Sequence, residues 1–331
     1  MDKNFYGNLT VSNSPHLVTS LDTRKTMMMV LIALIPSFLV SIYVFGPRAI
    51  ALTAVCIAAS VFFEWAFNKV TKRKQTINDL SACVTGAILA CNLPSGFPFW
   101  MAVIGCFVSI VIVKMIYGGL GRNIANPAIV GRIVLLMSFT TQMTTWPTPR
   151  TSNIDAQTGA TALAELGEVA KGKMVYGDLP SNLDLFLGTV GGSLGEVSAL
   201  AILIGGAFLI WKKIISPIIP LTFIGTMFVF ALIYYGLIGG PAFDMAVFHI
   251  CAGGAMLGAF FCATDYVTSP IMSKGKVIFG IGCGLVTMII RIWCAYPEGV
   301  SFAILFMNML TPLIDNAVIK RTYGGAKKNE K

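Results

Sequence analysis

The chain has 331 residues, 56% of them hydrophobic and only 12% charged, with a formal net charge of +9. A soluble domain carries about 25% charged residues, so this composition excludes a water-soluble globular domain. It belongs to a polytopic, all-α membrane protein, in which excess Lys and Arg report topology before they report a partner.

In chain order, residues 1–26 are polar and form a cytoplasmic N-terminal segment. No cleavable signal peptide is expected, because the apolar run that follows is of spanning length rather than a short h-region. A crossing helix needs roughly 20 mainly apolar residues, and ten intervals answer to that pattern: 27–46, 49–67, 80–93, 98–117, 127–146, 197–211, 217–238, 245–263, 276–294 and 300–319. The third, "LSACVTGAILACNL", is short and runs into "PSGFP". It is either a tilted helix completed by Phe97 to Trp100 or a helix broken at Pro94; a broken helix is tolerated only where its backbone is buried or lines a cavity. The expected organisation is a five-span membrane unit over 27–146, a polar loop over 147–196, a second five-span unit over 197–319, and a basic tail over 320–331.

Lys and Arg fix the orientation. One set of flanks carries Lys3, Arg24, Lys25, Lys69, Lys72, Arg73, Lys74, Arg122, Lys212, Lys213, Lys274 and Lys276, and the tail adds five more. The opposite flanks hold Arg48 and, in the long loop, Arg150, Lys171 and Lys173. Both termini are therefore expected in the cytoplasm and the 147–196 loop outside. The charge is a topology signal, and no nucleic-acid partner is expected. The eight Cys lie in or beside apolar spans without a C-x-x-C pair. They read as small buried hydrophobes, with neither a disulfide framework nor a metal site expected.

The two five-span units share a pattern. "TGAILACNLPSGFP" from Thr85 resembles "LGAFFCATDYVTSP" from Leu257, "VIGCF" at Val103 matches "GIGCG" at Gly280, and "ANPAIVGRIVLL" at Ala125 falls opposite "VSFAILFMNMLTPLID" at Val300. An odd number of spans reverses direction, so the halves would be inverted repeats, an arrangement that places sites at the repeat interface. Chance likeness between Gly-rich apolar segments is the competing explanation. Gly254 with Gly258, and Gly280 with Gly284, fit G-x-x-x-G, which permits close helix approach.

Ionisable groups inside spans are functional candidates. Glu64 in "VFFEWAF" and Asp315 in "TPLIDNAV" are candidates for an ion path, with an interfacial carboxylate the alternative for Glu64. Lys114, Arg132 and Arg291 are expected to snorkel to the interfaces. No residue is expected to be catalytic in its own right.

The long loop holds Asp155-Ala-Gln-Thr158-Gly159-Ala160-Thr161, followed by "TALAELGEV". Leu163, Leu166 and Val169 or Ala170 have helical spacing, so Thr161 would stand near a helix N-terminus, where free N–H groups favour a phosphate. A bare helix start capped by Asp155 or Thr158 explains the same residues, although the whole string would occur by chance in only about one chain in a thousand at average usage. A Thr hydroxyl does not attack a phosphoanhydride unaided, and no His or Cys lies nearby to activate it; any attached group must be delivered by another enzyme.

This string resembles the motif on which a Mg²⁺-dependent transferase moves FMN from FAD to a Thr. The surrounding chain resembles the family of Rnf ion-translocating oxidoreductase D subunits and the B subunits of Na⁺-translocating NADH:quinone reductases, through "SPH" at Ser14, "MMMVLIALIP" at Met27, "DLSACVTGAILACNLP" at Asp79, "GGLGRNIANPA" at Gly118, "GAFFCATDYVTSP" at Gly258 and "YPEGVSFAILFMN" at Tyr296. Cys262 and Tyr266 depart from the Met and Pro of the family pattern. The short N-terminus favours the Rnf branch over the quinone-reductase branch. The resemblance implies covalent FMN on Thr161 outside a prokaryotic cytoplasmic membrane, and a second, non-covalent flavin such as riboflavin near Asp79, Asn126 and Asp265. Asp79 and Asn126 read equally as helix caps. It also implies flavin- and iron–sulfur-bearing partner subunits handling ferredoxin and NAD⁺, and export of Na⁺ or H⁺. A solute channel or secondary transporter is the alternative of another class.

Overall fold

With no water in the hydrocarbon core to pair with peptide groups, a spanning chain has to satisfy them internally, and the computed structural model is helical accordingly. It describes residues 22–147, 158–159, 161–170, 176, 179–188, 190–294 and 298–318. Residues 1–21 of the N-terminal segment, the basic tail, Asp155 and Ala160 lie outside them, while α1 begins within that segment at Thr23.

The helices are α1 Thr23–Phe45, α2 Pro47–Val70, α3 Ser81–Cys91, α4 Phe99–Phe107, α5 Pro127–Ser138, α6 Thr140–Thr144, α7 Ala162–Ala170, α8 Asn182–Leu187, α9 Ala199–Trp211, α10 Ile218–Ile238, α11 Ala242–Cys251, α12 Ala255–Leu257, α13 Ser273–Trp293 and α14 Val300–Val318. Helix α4 continues as a π-helix over Val108–Met115, and α12 continues likewise over Gly258–Cys262. An antiparallel pair of two-residue strands, β1 Trp146–Pro147 and β2 Thr158–Gly159, ties the start of the long loop to its later part.

Five helices, α1, α2, α10, α13 and α14, are long and apolar enough to cross a membrane; α11 with Ala255–Cys262 makes a sixth bent by 61°. The remaining predicted intervals, 80–93, 98–117, 127–146 and 197–211, hold shorter apolar helices of 10–17 residues. Eleven residues of α3 rise only about 17 Å, against a hydrocarbon core of about 30 Å. Its shortness has a local cause: Asn92 and Leu93 turn back onto the last α3 carbonyls and Pro94 follows. The interval is therefore a helix broken before Pro94, and Phe97 to Trp100 begin the next element instead of completing this one.

Packing follows a regular order. Helix α2 lies against α3 and α4, and α10 lies against α11 and α13; α4 packs on α5, and α13 on α14. Across the middle, α1 meets α9 and α5 meets α14. Close approach depends on missing side chains: a Cβ on Gly280 would collide with Thr222 of α10, and one on Gly258 with Val300 of α14. The long loop does not merely cover the bundle. Leu194 and Gly195 donate backbone hydrogen bonds to Leu93 and Cys91 carbonyls, Pro94 bridges Ser193, and Ser37 and Ser41 of α1 donate to the Gly195 and Leu194 carbonyls. Among the cysteines, Cys56, Cys91, Cys106, Cys262 and Cys283 are buried.

Candidate functional site

At one end of the bundle, Thr161 is the residue before α7. It is 8% exposed, and its hydroxyl oxygen accepts from the Ala164 N–H at 3.2 Å while its carbonyl accepts from Glu165. The expected helix over "TALAELGEV" is present, with Leu163 and Leu166 buried. Its cap is Thr161 itself, rather than Asp155 or Thr158. Thr161 lines a small cleft of about 320 Å³, its open mouth included, whose other walls include Gly191, Gly192, Glu196, Ala252 and Gly253. Nothing lies within 4 Å of where a Gly192 Cβ would stand. A helix N-terminus beside glycines and open volume suits a phosphoryl ester, so the residues present fit a flavin phosphate.

The floor of this cavity is the break between α11 and α12. Gly253 and Gly254 take positive φ values of 67° and 65°, a conformation that costs an L-residue with a side chain. Arg291 of α13 reaches the break from behind, donating to the carbonyls of His249, Ala252 at 2.9 Å and Gly253 at 3.0 Å. It is buried, so it does not snorkel as expected. The Glu196 carboxylate accepts from Ser193 at 2.7 Å. Close by, Arg132 pairs with Glu298 and donates to Ser301 at 2.5 Å, so Arg132 is also buried and paired rather than snorkelling. Burial pushes the Glu298 carboxyl up to about 7 despite the opposing pull of Arg132.

At the other end, where Lys72 and Lys213 lie, a larger cavity of about 740 Å³, its open mouth included, is lined by Ser81, Lys114, Asn126, Asp265 and Tyr266 among others. The Asn123 side-chain oxygen in its wall is buried and makes no hydrogen bond among the described residues. Of the residues expected near a second flavin, Asn126 and Asp265 face this space together. Asp79 stands one step back, accepting from Ser81 N–H at 2.8 Å and Ser81 O–H at 2.6 Å as a cap of α3. Asn126 caps α5 through Ala128 and Ile129 and also donates to the Cys262 carbonyl at 3.1 Å. Burial raises the Asp265 carboxyl above its ordinary range. The Tyr266 hydroxyl donates to the Ile214 carbonyl, a bond that the family's Pro could not make.

Glu64 is not exposed. It is 0% accessible and pairs at 2.7 Å with Lys114, itself 1% accessible, while Thr76 donates to its other oxygen. Lys114 thus fills a buried site instead of snorkelling. Asp315 is elsewhere, accepting from the Ile271 N–H at 3.2 Å, so the two candidate acids share no contact among the described residues. Sequence reasoning missed the pairing of Glu64 with Lys114 and of Arg132 with Glu298. A lone carboxylate inside a span calls for a cation on a neighbouring helix; Glu64 gave that signal, whereas Glu298 lies outside the helices, just before α14.

Comparison with known proteins adds an independent line. A family model described as NQR2, RnfD, RnfE family matches residues 10–324. The D subunit of the Na⁺-translocating ferredoxin:NAD⁺ oxidoreductase complex of Acetobacterium woodii is 48% identical, over 97% of this chain and 96% of that protein. The D subunit of the proton-translocating ferredoxin:NAD⁺ oxidoreductase complex of Clostridium ljungdahlii is 41% identical, over 92% and 93%. The D subunit of the ion-translocating oxidoreductase complex of Ectopseudomonas mendocina is 36% identical, over 96% of both. Matched over nearly its whole length, and built of apolar helices that make it a multi-pass membrane protein, the chain belongs to the NQR2, RnfD, RnfE family.

Proposed function

We propose that this chain is the D-type membrane subunit of an ion-translocating ferredoxin:NAD⁺ oxidoreductase complex, carries FMN covalently on Thr161, and couples electron transfer to cation export. The observation that carries the cofactor assignment is the placement of Thr161: at the N-terminus of α7, on a glycine-walled cavity, above the break of α11 and α12. In attachment, the Thr161 oxygen bonds the flavin phosphorus, the phosphoanhydride of FAD breaks, and AMP leaves; the flavin transferase removes the hydroxyl proton. Bound there, FMN supplies one- and two-electron chemistry that joins iron–sulfur donors to nicotinamide. Thr161 and the α7 N–H groups hold the phosphoryl end, while Leu163 and Leu166 pin the helix to the bundle. Asn126, Asp265 and Ser81 are the polar groups available to a second, non-covalent flavin such as riboflavin in the larger cavity, with Asp79 orienting Ser81.

Ten spans in two inverted five-helix halves, 27–146 and 197–319, fit the packing order: the contacts of α2 with α3 and α4 have counterparts in those of α10 with α11 and α13, and α1 meets α9 at the centre. Each half also has one buried cation at the start of its short helix, Lys114 at Ser81 and Arg291 at Gly253. With both termini in the cytoplasm, the basic end of the bundle is inside and Thr161 is outside the prokaryotic inner membrane. Ferredoxin and NAD⁺ are left to flavin- and iron–sulfur-bearing partner subunits. The relatives' names divide between Na⁺ and protons, and either ion satisfies this reading.

Intact mass of the purified chain, co-expressed with a flavin transferase, tests the assignment. Wild type gains roughly 438 Da, one FMN less water, and Thr161→Ala does not. No adduct in the presence of an active transferase would overturn it and bring a solute transporter forward.

A further inference from the structure

One buried ion pair has no task in flavin attachment or electron transfer. Lys114 and Ser81 line the large cavity but Glu64 does not; it lies behind them. The Lys114 ammonium touches Glu64 at 2.7 Å and Ser81 at 2.5 Å, and Thr76 closes the second carboxylate oxygen. Beyond the pair, one turn further from the basic end along α2, is Ser60. One turn further along the π-helical segment is Ser109. Both hydroxyls are fully buried; Ser60 lies against the Cys106 thiol, and Ser109 has no hydrogen-bond partner among the described residues. Cys56 and Cys106 continue the same two rows, with the Cys106 thiol donating to the Cys56 carbonyl at 3.4 Å. The order from the cavity inward is therefore ammonium, carboxylate, two buried hydroxyls.

An ion pair this deep contributes little net stability, because desolvation offsets attraction, and a neutral packed pair serves as well. Its place behind the cavity wall, on a π-helix of the type often found at functional sites, asks for another reason. Lys carries a compact charge on a flexible four-carbon stem, the nearest thing a protein has to a tethered monovalent cation.

We propose that Lys114 is a built-in stand-in for the transported ion. Its ammonium holds Glu64 until a free monovalent cation, Na⁺ or a proton, takes the carboxylate, whereupon the ammonium swings into the cavity towards the side that carries Asp265. Ser60 and Ser109 offer the next oxygens to the displaced-in cation, or to the water that moves with it. No bond other than an O–H on Glu64, in the proton case, is made or broken. The inference rests on the reading of the chain as an ion-translocating subunit.

The test uses the whole complex in liposomes, as wild type, Lys114→Gln, Lys114→Arg and the Lys114→Gln/Glu64→Gln pair. Ferredoxin:NAD⁺ electron transfer is followed against NaCl with choline replacement at fixed pH, and against pH at fixed Na⁺. The melting temperature of the complex is recorded under the same conditions. Groups facing Glu64 in the pH arm are Lys114, Asp79, Thr76, Ser81 and Cys83, with Arg73 beyond them, bonded to the Met115 carbonyl.

Removing the competing ammonium in Lys114→Gln should lower the half-saturating ion concentration at least tenfold. The coupling ion should then stabilise that variant more than wild type, with Lys114→Arg close to wild type. A shift in the NaCl curve identifies Na⁺, and a shift in the pH curve identifies the proton. The doubly neutral variant should fold and lose the ion dependence. If Lys114→Gln melts lower yet keeps the wild-type NaCl and pH curves, or the double variant keeps its ion dependence, the pair is structural and the inference fails alone. If wild-type liposomes take up neither Na⁺ nor protons, the translocation reading fails with it.

Discussion

A Cβ placed on Gly253 would collide with the Leu163 side chain and stand 2.6 Å from an Arg291 nitrogen, on a backbone at φ 67°. Gly253→Ala should therefore unseat α7 from the break beneath it. The left-handed conformation costs about 1–2 kcal/mol and overpacking about 1–3 kcal/mol, together about 2–5 kcal/mol against the docked state. Leu163→Ala alone also loosens α7, by removing a buried side chain that is 2% exposed. Combined, the two should be less than additive, since the smaller residue vacates the space that the new methyl needs. The recoverable part is the steric share, about 1–3 kcal/mol, or about 5–150-fold in an equilibrium. Deuterium exchange of the peptide covering 162–170, in wild type, both single variants and the double, measures local opening. Strict additivity would refute the claim that Leu163 and Gly253 are the docking contact, and would leave the proposed seating of Thr161 without its anchor.

Glu298 predicts a pH slope. Its folded pKa lies above the ordinary Glu value, so the folded state binds more protons between about pH 4.5 and 7 and loses stability as pH rises through that window; melting temperature should fall across it, and Glu298→Gln should flatten the curve. Glu64→Gln and Asp315→Asn should each reduce cation transport more than electron transfer when the two are measured separately, and unchanged transport in both would remove these acids from the path. Thr161→Ser keeps the hydroxyl and the α7 cap, so it should still acquire an FMN-sized adduct, read by intact mass; its absence would mean the transferase requires the Thr methyl.

The long helices were legible because their apolar runs are continuous and all-round, which only lipid or a deep core permits. The short α3 was half legible: Pro94 announced a break, but the return of Leu194 and Gly195 onto its carbonyls comes from a segment about a hundred residues away in sequence. The break before α12 was not legible, because "CAGGAML" reads as an uninterrupted small-residue helix until Arg291 supplies donors for its freed carbonyls. Around Thr161 the period of Leu163 and Leu166 was enough to place the helix start. The ion pairs failed for a common reason. Glu64 and Lys114 occupy different helices, Glu298 lies just before α14 while Arg132 is on α5, and a single long cation near the end of a span looks the same whether it leaves for water or finds a carboxylate.

The Ser37 and Ser41 contacts to the long loop span 158 and 153 residues of chain. A ribosome adding about 5–20 residues per second needs on the order of 10–30 s to deliver those partners after α1 has entered the bilayer. Ser41 has an interim acceptor in its own helix, the Ser37 carbonyl at 2.9 Å, which lets the hydroxyl wait in lipid without an unpaired donor. These central contacts are thus made only by a segment synthesised after the entire first half, and a chain truncated before it would leave α1 and α3 inserted with nothing between them.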